Sequence, residues 1–239
     1  MKKIGILVLL LAASAGVFFL IPGKDQAAPP PAAPVTVYAA SSLKEAVTEI
    51  TSAWTGKTGI PVRLQFEATS TLARQIQEGA PADLFLTAAP EWLDKVKVMD
   101  RYDWLGNRLV AVRRKGTAVD LKKASSLALA NEQVPAGKYA KVALGKLGIK
   151  IPERTVYGEN VRDVLSKVSH GAAEAGVVYA TDVAIDPDVE VCFEFPEGSH
   201  PPVLYSAGLL RESGRGLFAA LKEPWVLDIA HRRGFLSLK

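Results

Sequence analysis

The sequence predicts an α/β fold built on parallel strands, and three observations carry that reading. Short β-branched and aromatic runs, such as Val35-Thr36-Val37-Tyr38, alternate with longer segments whose apolar residues recur at helical spacing. Hydroxyl pairs, Ser41-Ser42 and Thr69-Ser70, stand where a strand gives way to a helix. Gly56, Gly59 and Gly79 close the helical segments. Strand, hydroxyl pair and helix in repetition is the pattern of a parallel sheet with helical crossovers.

Taken in order, Val35 to Tyr38 is the first strand. Leu43, Ala46, Val47, Ile50 and Trp54 then fall on one helical face. Glu45 stands three positions after Ser42, the spacing of a capping box. Val62 to Phe66 is a second strand, and the run after Thr69-Ser70 a second helix, ended by Gly79. Asp83 to Leu86 is a short strand, and Pro90 starts the next helix. Leu105 to Val112 (LGNRLVAV) reads as one longer strand. The basic run Arg113-Arg114-Lys115-Gly116 behind it marks a crossing between domains. Leu127 to Ala130 is a strand, followed by a helix over PAGKYAKVALGKLG. Asn160 caps a helix over VRDVLSKV. Ala175 to Tyr179, Val189 to Phe195 and Val203 to Leu209 are late strands. The Pro-rich stretch between the last two offers a return crossing, and Arg211 to Lys239 is mostly helical.

The first 34 residues are of another kind. Lys2 and Lys3 precede an apolar run from Ile4 to Ile21, the pattern of an export signal. The run is at the short end of what spans a bilayer, so 1–22 is expected to be a signal peptide or a retained membrane anchor. No Cys lies near it, which excludes lipoprotein anchoring. Residues 23–34 include AAPPPAAP, a polyproline-like spacer. The bulk of the chain is expected outside the cytoplasmic membrane, periplasmic or otherwise extracytoplasmic.

Composition narrows the function classes. Hydrophobic residues make up 49% and charged residues 23%, a globular balance. The formal charge of +4 owes part to the leader's lysines, so no electrostatic footprint for nucleic acid remains. Cys192 is alone, and His170, His200 and His231 are scattered, so neither a disulfide nor a short metal motif is available. Gly214-Arg215-Gly216 lacks the third glycine of a phosphate loop, and Gly198-Ser199-His200 is no nucleophile elbow. No nucleophile–base pair stands out, so the chain reads as non-enzymatic, with no cofactor.

What remains is a set of strand ends that open helices, at Ser41-Ser42, Thr69-Ser70, Pro135-Ala136-Gly137 and Asn160-Val161. Helix N-termini carry unpaired N–H groups and attract anions. In open α/β sheets, ligands bind beyond the carboxyl ends of strands. Any one of these positions reads equally as plain capping; their recurrence points to an anion.

In this order, VYAASSLKEA (37–46), ATSTLARQIQEGAPADLF (68–85), LGNRLVAV (105–112), VPAGKYAKVAL (134–144), GENVRDVL (158–165) and GVVYATD (176–182) resemble the periplasmic molybdate-binding component of ABC transporters. The resemblance spans about Val35 to Lys239. It implies a two-lobed, type II periplasmic binding protein fold, each lobe a mixed sheet flanked by helices, with the oxyanion between the lobes. Lobe one is expected at 35–113 plus 199–239, and lobe two at 114–198. By motif, the donors would be the Ser42 hydroxyl and amide, the Thr69 hydroxyl, the Ala136 and Val161 amides and the Tyr179 phenol, with Ser41 and Ser70 as additional candidates. Thr69 stands where the family usually has Ser, and Ser41 where Ala is frequent. Such donors suit a deprotonated tetrahedral dianion, which offers only acceptors. Gly137 would let the chain approach the ligand closely. Glu67 puts a carboxylate near the site; strand alternation leaves its direction open, with solvent or a lysine the simplest partner.

The resemblance implies a monomeric receptor that hands molybdate, and tungstate with it, to an ABC permease. The alternatives are a receptor for sulfate or phosphate, or a membrane-anchored oxyanion sensor.

Overall fold

The computed structural model describes residues 33–238 of the chain; the expected leader and most of the spacer lie outside the described residues. Strand β1 (Val35–Ala40) pairs in parallel with β2 (Val62–Glu67) and β3 (Leu84–Thr87). Helix α1 (Lys44–Thr58) connects the first two. It is entered through a 3-10 turn, Ser41–Leu43, and left through Gly59, whose φ of 72° only glycine adopts without strain. Its buried face is Ala46, Val47, Ile50 and Trp54, the spacing the sequence displays. Helix α2 (Thr69–Gln77) returns from β2 to β3. A 3-10 turn, Pro90–Lys95, stands where Pro90 was expected to begin an α-helix.

The next segment departs from expectation. LGNRLVAV is not one strand: β4 (Asp100–Asn107) and β5 (Leu109–Arg114) belong to different sheets, with Arg108 between them. The cause is local. The Asn107 Oδ1 accepts the Arg108 N–H at 2.8 Å, so a side chain satisfies the backbone where a ladder would otherwise continue. The crossing expected at Arg113 to Gly116 therefore falls at Arg108, and β5 joins the second sheet although it lies inside 35–113.

The second sheet gathers β6 (Ser126–Ala130), then α3 (Pro135–Lys146), β7 (Arg154–Gly158), α4 (Val161–Ser169), β8 (Ala175–Tyr179), the short α5 (Ala180–Val183) and β9 (Val189–Glu194). The chain then returns through 195–202 to β10 (Val203–Leu209) in the first sheet, and ends with α6 (Arg215–Ala220) and α7 (Pro224–Arg232). Leu236 closes an antiparallel bridge to Gly106, tying the C-terminal segment to the end of β4.

Each sheet has five strands, in the orders β2-β1-β3-β10-β4 and β7-β6-β8-β5-β9. Both are mixed: the βαβ units give parallel pairs, while β10 and β5 insert antiparallel. The result is two α/β layers joined at two crossings, and the parallel strands of both layers aim their carboxyl ends at one cleft. None of the helices among the described residues is long and apolar enough to cross a membrane.

Candidate functional site

Four helices start beside one small cavity. From the first sheet come Ser41 and Ser42 after β1, Glu67, Ala68 and Thr69 where β2 becomes α2, and Ala88 after β3. From the second come Val134, Pro135 and Ala136 at the head of α3, Asn160 and Val161 at the head of α4, and Tyr179 at the end of β8. The structure thus brings Ser41, Ser42, Thr69, Ala136, Val161 and Tyr179 to one place. Ser70 is not among them: it borders an outer groove with Thr71 and Arg74. The cavity volume is about 10 Å³ for the centre of a water-sized sphere, so only something small fits without the layers parting.

The hydroxyls share a polarity. Ser42 Oγ accepts a hydrogen bond from the Tyr205 hydroxyl at 2.9 Å. Thr69 Oγ1 accepts the Ala88 N–H at 3.0 Å. Each oxygen already receives a donor, and each keeps its own proton for the cavity. The Tyr179 side chain is 1% exposed, and its hydroxyl has no hydrogen-bond partner among the described residues. A buried hydroxyl without a partner is costly, so this one marks a place where a partner is expected. Burial, with Tyr205 and Tyr139 nearby, pushes the Tyr179 phenol well above its ordinary value and keeps it a donor.

Backbone amides complete the lining. The Asn160 side chain accepts from the Arg162 N–H at 2.9 Å and the Asp163 N–H at 3.2 Å, and leaves the Val161 N–H outside the cap. At α3, Pro135 has no N–H and Val134 provides no side-chain cap, so the first amide donor facing out is that of Ala136. Gly137 has a different role from the one expected. A Cβ there would lie 2.2 Å from the Asn131 carbonyl oxygen and 2.3 Å from that of Ala130. The close approach is to the chain's own backbone at the end of β6, and it seats the head of α3.

Two other expectations change. The Ser42–Glu45 capping box does not form, because Tyr205 engages the Ser42 oxygen and Arg162 engages Glu45. Glu67 is half-buried and borders both the cavity and the outer groove, with no lysine paired to it among the described residues.

Contacts across the cleft come from residues the motifs do not single out. Arg162 pairs with Glu45, and Lys138 with Glu91 at 2.9 Å, each joining one layer to the other. Arg162 Nε also lies 2.8 Å from Asp182 Oδ1, but the N–H is not aimed along that line, so this is an ion contact without a formed hydrogen bond. The other Asp182 oxygen, Oδ2, accepts the Tyr179 N–H at 3.0 Å. Burial pushes the Asp182 carboxyl up to about 6, against the pull of Arg162 and of that N–H. Tyr205 and Asn107 were likewise missed: a tyrosine in a late strand and an asparagine inside an apolar run carry no motif.

Comparison with known proteins agrees with this architecture. Residues 35–236 match the family of bacterial extracellular solute-binding proteins. The molybdate-binding protein ModA of Escherichia coli is 36% identical over 84% of this chain and 88% of its own length. A putative ABC transporter substrate-binding lipoprotein of Bacillus subtilis, YvgL, is 32% identical over 85% of this chain and 86% of its own. The solved periplasmic molybdate-binding protein of Azotobacter vinelandii superposes with a TM-score of 0.76, covering 86% of this chain and all of that one; at 19% identity this speaks for the fold alone. The chain belongs to the bacterial extracellular solute-binding proteins, a non-enzymatic transport family, and within them to the molybdate-binding ModA family.

Proposed function

We propose that the chain captures molybdate between two lobes, one on each sheet, and hands it to the permease of an ABC transporter. The observation that carries this is the Tyr179 hydroxyl, buried without a partner among the described residues at a cavity where the Ser42 and Thr69 oxygens already accept from other donors. Such a lining asks for a small ligand with acceptors on every side, and a fully deprotonated tetrahedral dianion is one. The Ala136 and Val161 amides, at the heads of α3 and α4, add two donors and the partial positive charge of helix N-termini. Ser41 lines the same cavity and is a further donor. All of these come from one chain, which supports action as a monomer. Tungstate has the same shape and charge and is expected to bind as molybdate does.

The ligand bridges both lobes, so it stabilises their approach by contacts that exist only when they are together. Lobe one is the first sheet with its helices, and lobe two the second, meeting at Arg108 and at 195–202.

Calorimetric titration of the purified chain with molybdate, tungstate, sulfate and phosphate tests this. Tight binding of the first two and much weaker binding of the others is the expected result. Equal affinity for sulfate and molybdate overturns the assignment.

A further inference from the structure

Behind Ser42 runs a chain of hydrogen bonds whose direction is fixed from its far end. The Arg108 N–H can only donate, and it donates to Asn107 Oδ1 at 2.8 Å. This settles which end of the Asn107 amide is which. Its Nδ2 therefore points the other way, and its two hydrogens are both used: one goes to Thr181 Oγ1 at 2.9 Å, the other to the Tyr205 hydroxyl oxygen at 3.1 Å. Having accepted from Asn107, the Tyr205 hydroxyl donates its own proton to Ser42 Oγ at 2.9 Å. Ser42, having accepted in turn, has its proton left over; the hydroxyl donates to no group among the described residues, and Ser42 lines the cavity. Tyr205 is 0% exposed, and Asn107, Thr181 and Ser42 are buried, so water does not compete for these bonds.

We infer that Tyr205, oriented by Asn107, is a positioning residue that sets ligand choice by holding Ser42 as a donor toward the cavity. The inference rests on the oxyanion-receptor reading above. Without Tyr205 the Ser42 hydroxyl is free to turn, and its vacated oxygen accepts as readily as it donates. An acceptor-only dianion then loses a pre-aimed donor, while an anion that carries its own proton, such as hydrogen phosphate, gains an acceptor. The relay begins at the residue where the chain passes between the sheets, and Asn107 donates to one group from each: Tyr205 of β10 and Thr181 of α5. Orientation of the site hydroxyl is thus tied to the crossing itself.

The test is a double-mutant cycle on the full chain, with Ser42→Ala, Tyr205→Phe and the pair, titrated with molybdate and with phosphate. Tyr205→Phe is expected to weaken molybdate binding about three- to tenfold, as for one hydrogen bond, and to narrow the ratio between molybdate and phosphate. In the Ser42→Ala background the same change is expected to add little, because Tyr205 acts through Ser42. Asn107→Asp is the second variant. Its carboxylate accepts from Arg108 and draws the Tyr205 proton toward itself, so molybdate binding weakens although the shape is kept. Full additivity in the cycle, or an unchanged molybdate-to-phosphate ratio in a Tyr205→Phe protein that still binds, overturns the inference and leaves the receptor reading standing. A wild-type chain that binds neither anion overturns both.

Discussion

Arg162 of α4 grips Glu45 of α1 across the cleft: Nη1 donates to one carboxylate oxygen at 3.2 Å and Nη2 to the other. The two residues belong to different layers, and both adjoin the cavity lining, Arg162 next to Val161 and Glu45 on the helix that follows Ser42. The side chains are 19% and 27% exposed, so solvent screens the pair only in part. A fork-to-fork pair of this kind has geometric specificity as well as attraction.

Because the pair joins two lobes, it stabilises only the arrangement in which they meet. Glu45→Gln keeps the shape and removes the charge. Molybdate binding is expected to weaken about three- to tenfold, roughly the 1 kcal/mol of a partly exposed ion pair. Most of the change belongs in the dissociation rate, since the contact forms late in closure. Stopped-flow dissociation measures it, and an unaltered rate contradicts a role for the pair in holding the lobes together.

Gly137→Ala addresses the head of α3. The new methyl would meet two backbone carbonyls, which cannot swing aside as a side chain does. The head of α3 has to shift, carrying the Ala136 amide away from the cavity. Loss of about 1–3 kcal/mol of stability is expected, of the order of other overpacked sites, together with loss of molybdate binding. Thermal melting with and without molybdate checks both, and a variant that melts and binds like the wild type contradicts the seating role.

The parts of this molecule legible in the sequence are those written in local pattern. Val35 to Tyr38, the α1 face and the Asn160 cap need only near neighbours, and the structure has them where the pattern places them. The first half of β4, with DRYD, carries charges in place of an alternating apolar face, so no period reveals it, and β7, with RTVYG, has a β-branched and aromatic run too short and too exposed to show an alternating face. The split at Arg108 is hidden because an apolar run looks the same whether it fills one sheet or two. Among the candidate site residues, Ser42, Thr69, Ala136, Val161 and Tyr179 are named by the family resemblance of their motifs, and all five line one cavity. Tyr205, Asn107, Arg162 and Asp182 act through partners far away in sequence, as in the bond between Tyr205 and Ser42, and nothing local announces such a pairing.

Asp182 gives a pH signature. Its carboxyl rises from 3.8 to about 6 on burial. In the window between these values the folded chain keeps a proton that the unfolded chain has lost. Stability contributed by this group is therefore full below pH 3.8 and falls as pH rises toward 6, by up to about 3 kcal/mol, and is flat beyond. Asp182→Asn removes the titration. The difference in unfolding free energy between wild type and variant should slope across that window; a flat difference disproves the shift.

Tyr179→Phe removes a hydroxyl that has no partner among the described residues. The ring and its edge contact with Tyr205, at 6.1 Å between centroids, remain. Melting without ligand should hardly move, and molybdate affinity should fall ten- to a hundredfold, as for a hydrogen bond to a charged group. Stabilisation by molybdate shrinks in proportion to the logarithm of that loss. A destabilised apo protein with unaltered affinity would mean that the hydroxyl serves the fold.

Glu67 is the one acidic side chain that borders the cavity, and it has no paired base among the described residues. A unit charge and a dianion several ångströms apart in a wet cleft repel by about 1 kcal/mol. Glu67→Gln keeps the size and removes the charge, so molybdate and sulfate binding should both tighten about fivefold. Hydrogen phosphate behaves differently, because its proton can be accepted by the carboxylate; there the loss of an acceptor offsets the relief of repulsion. Glu67 is therefore expected to work against every fully deprotonated dianion alike and to favour an anion that carries a proton. Titrating the wild type and Glu67→Gln with molybdate and phosphate from pH 6 to pH 8 separates the two effects. If Glu67→Gln leaves molybdate affinity unchanged across that range, the carboxylate faces solvent and the cavity is closed to its field.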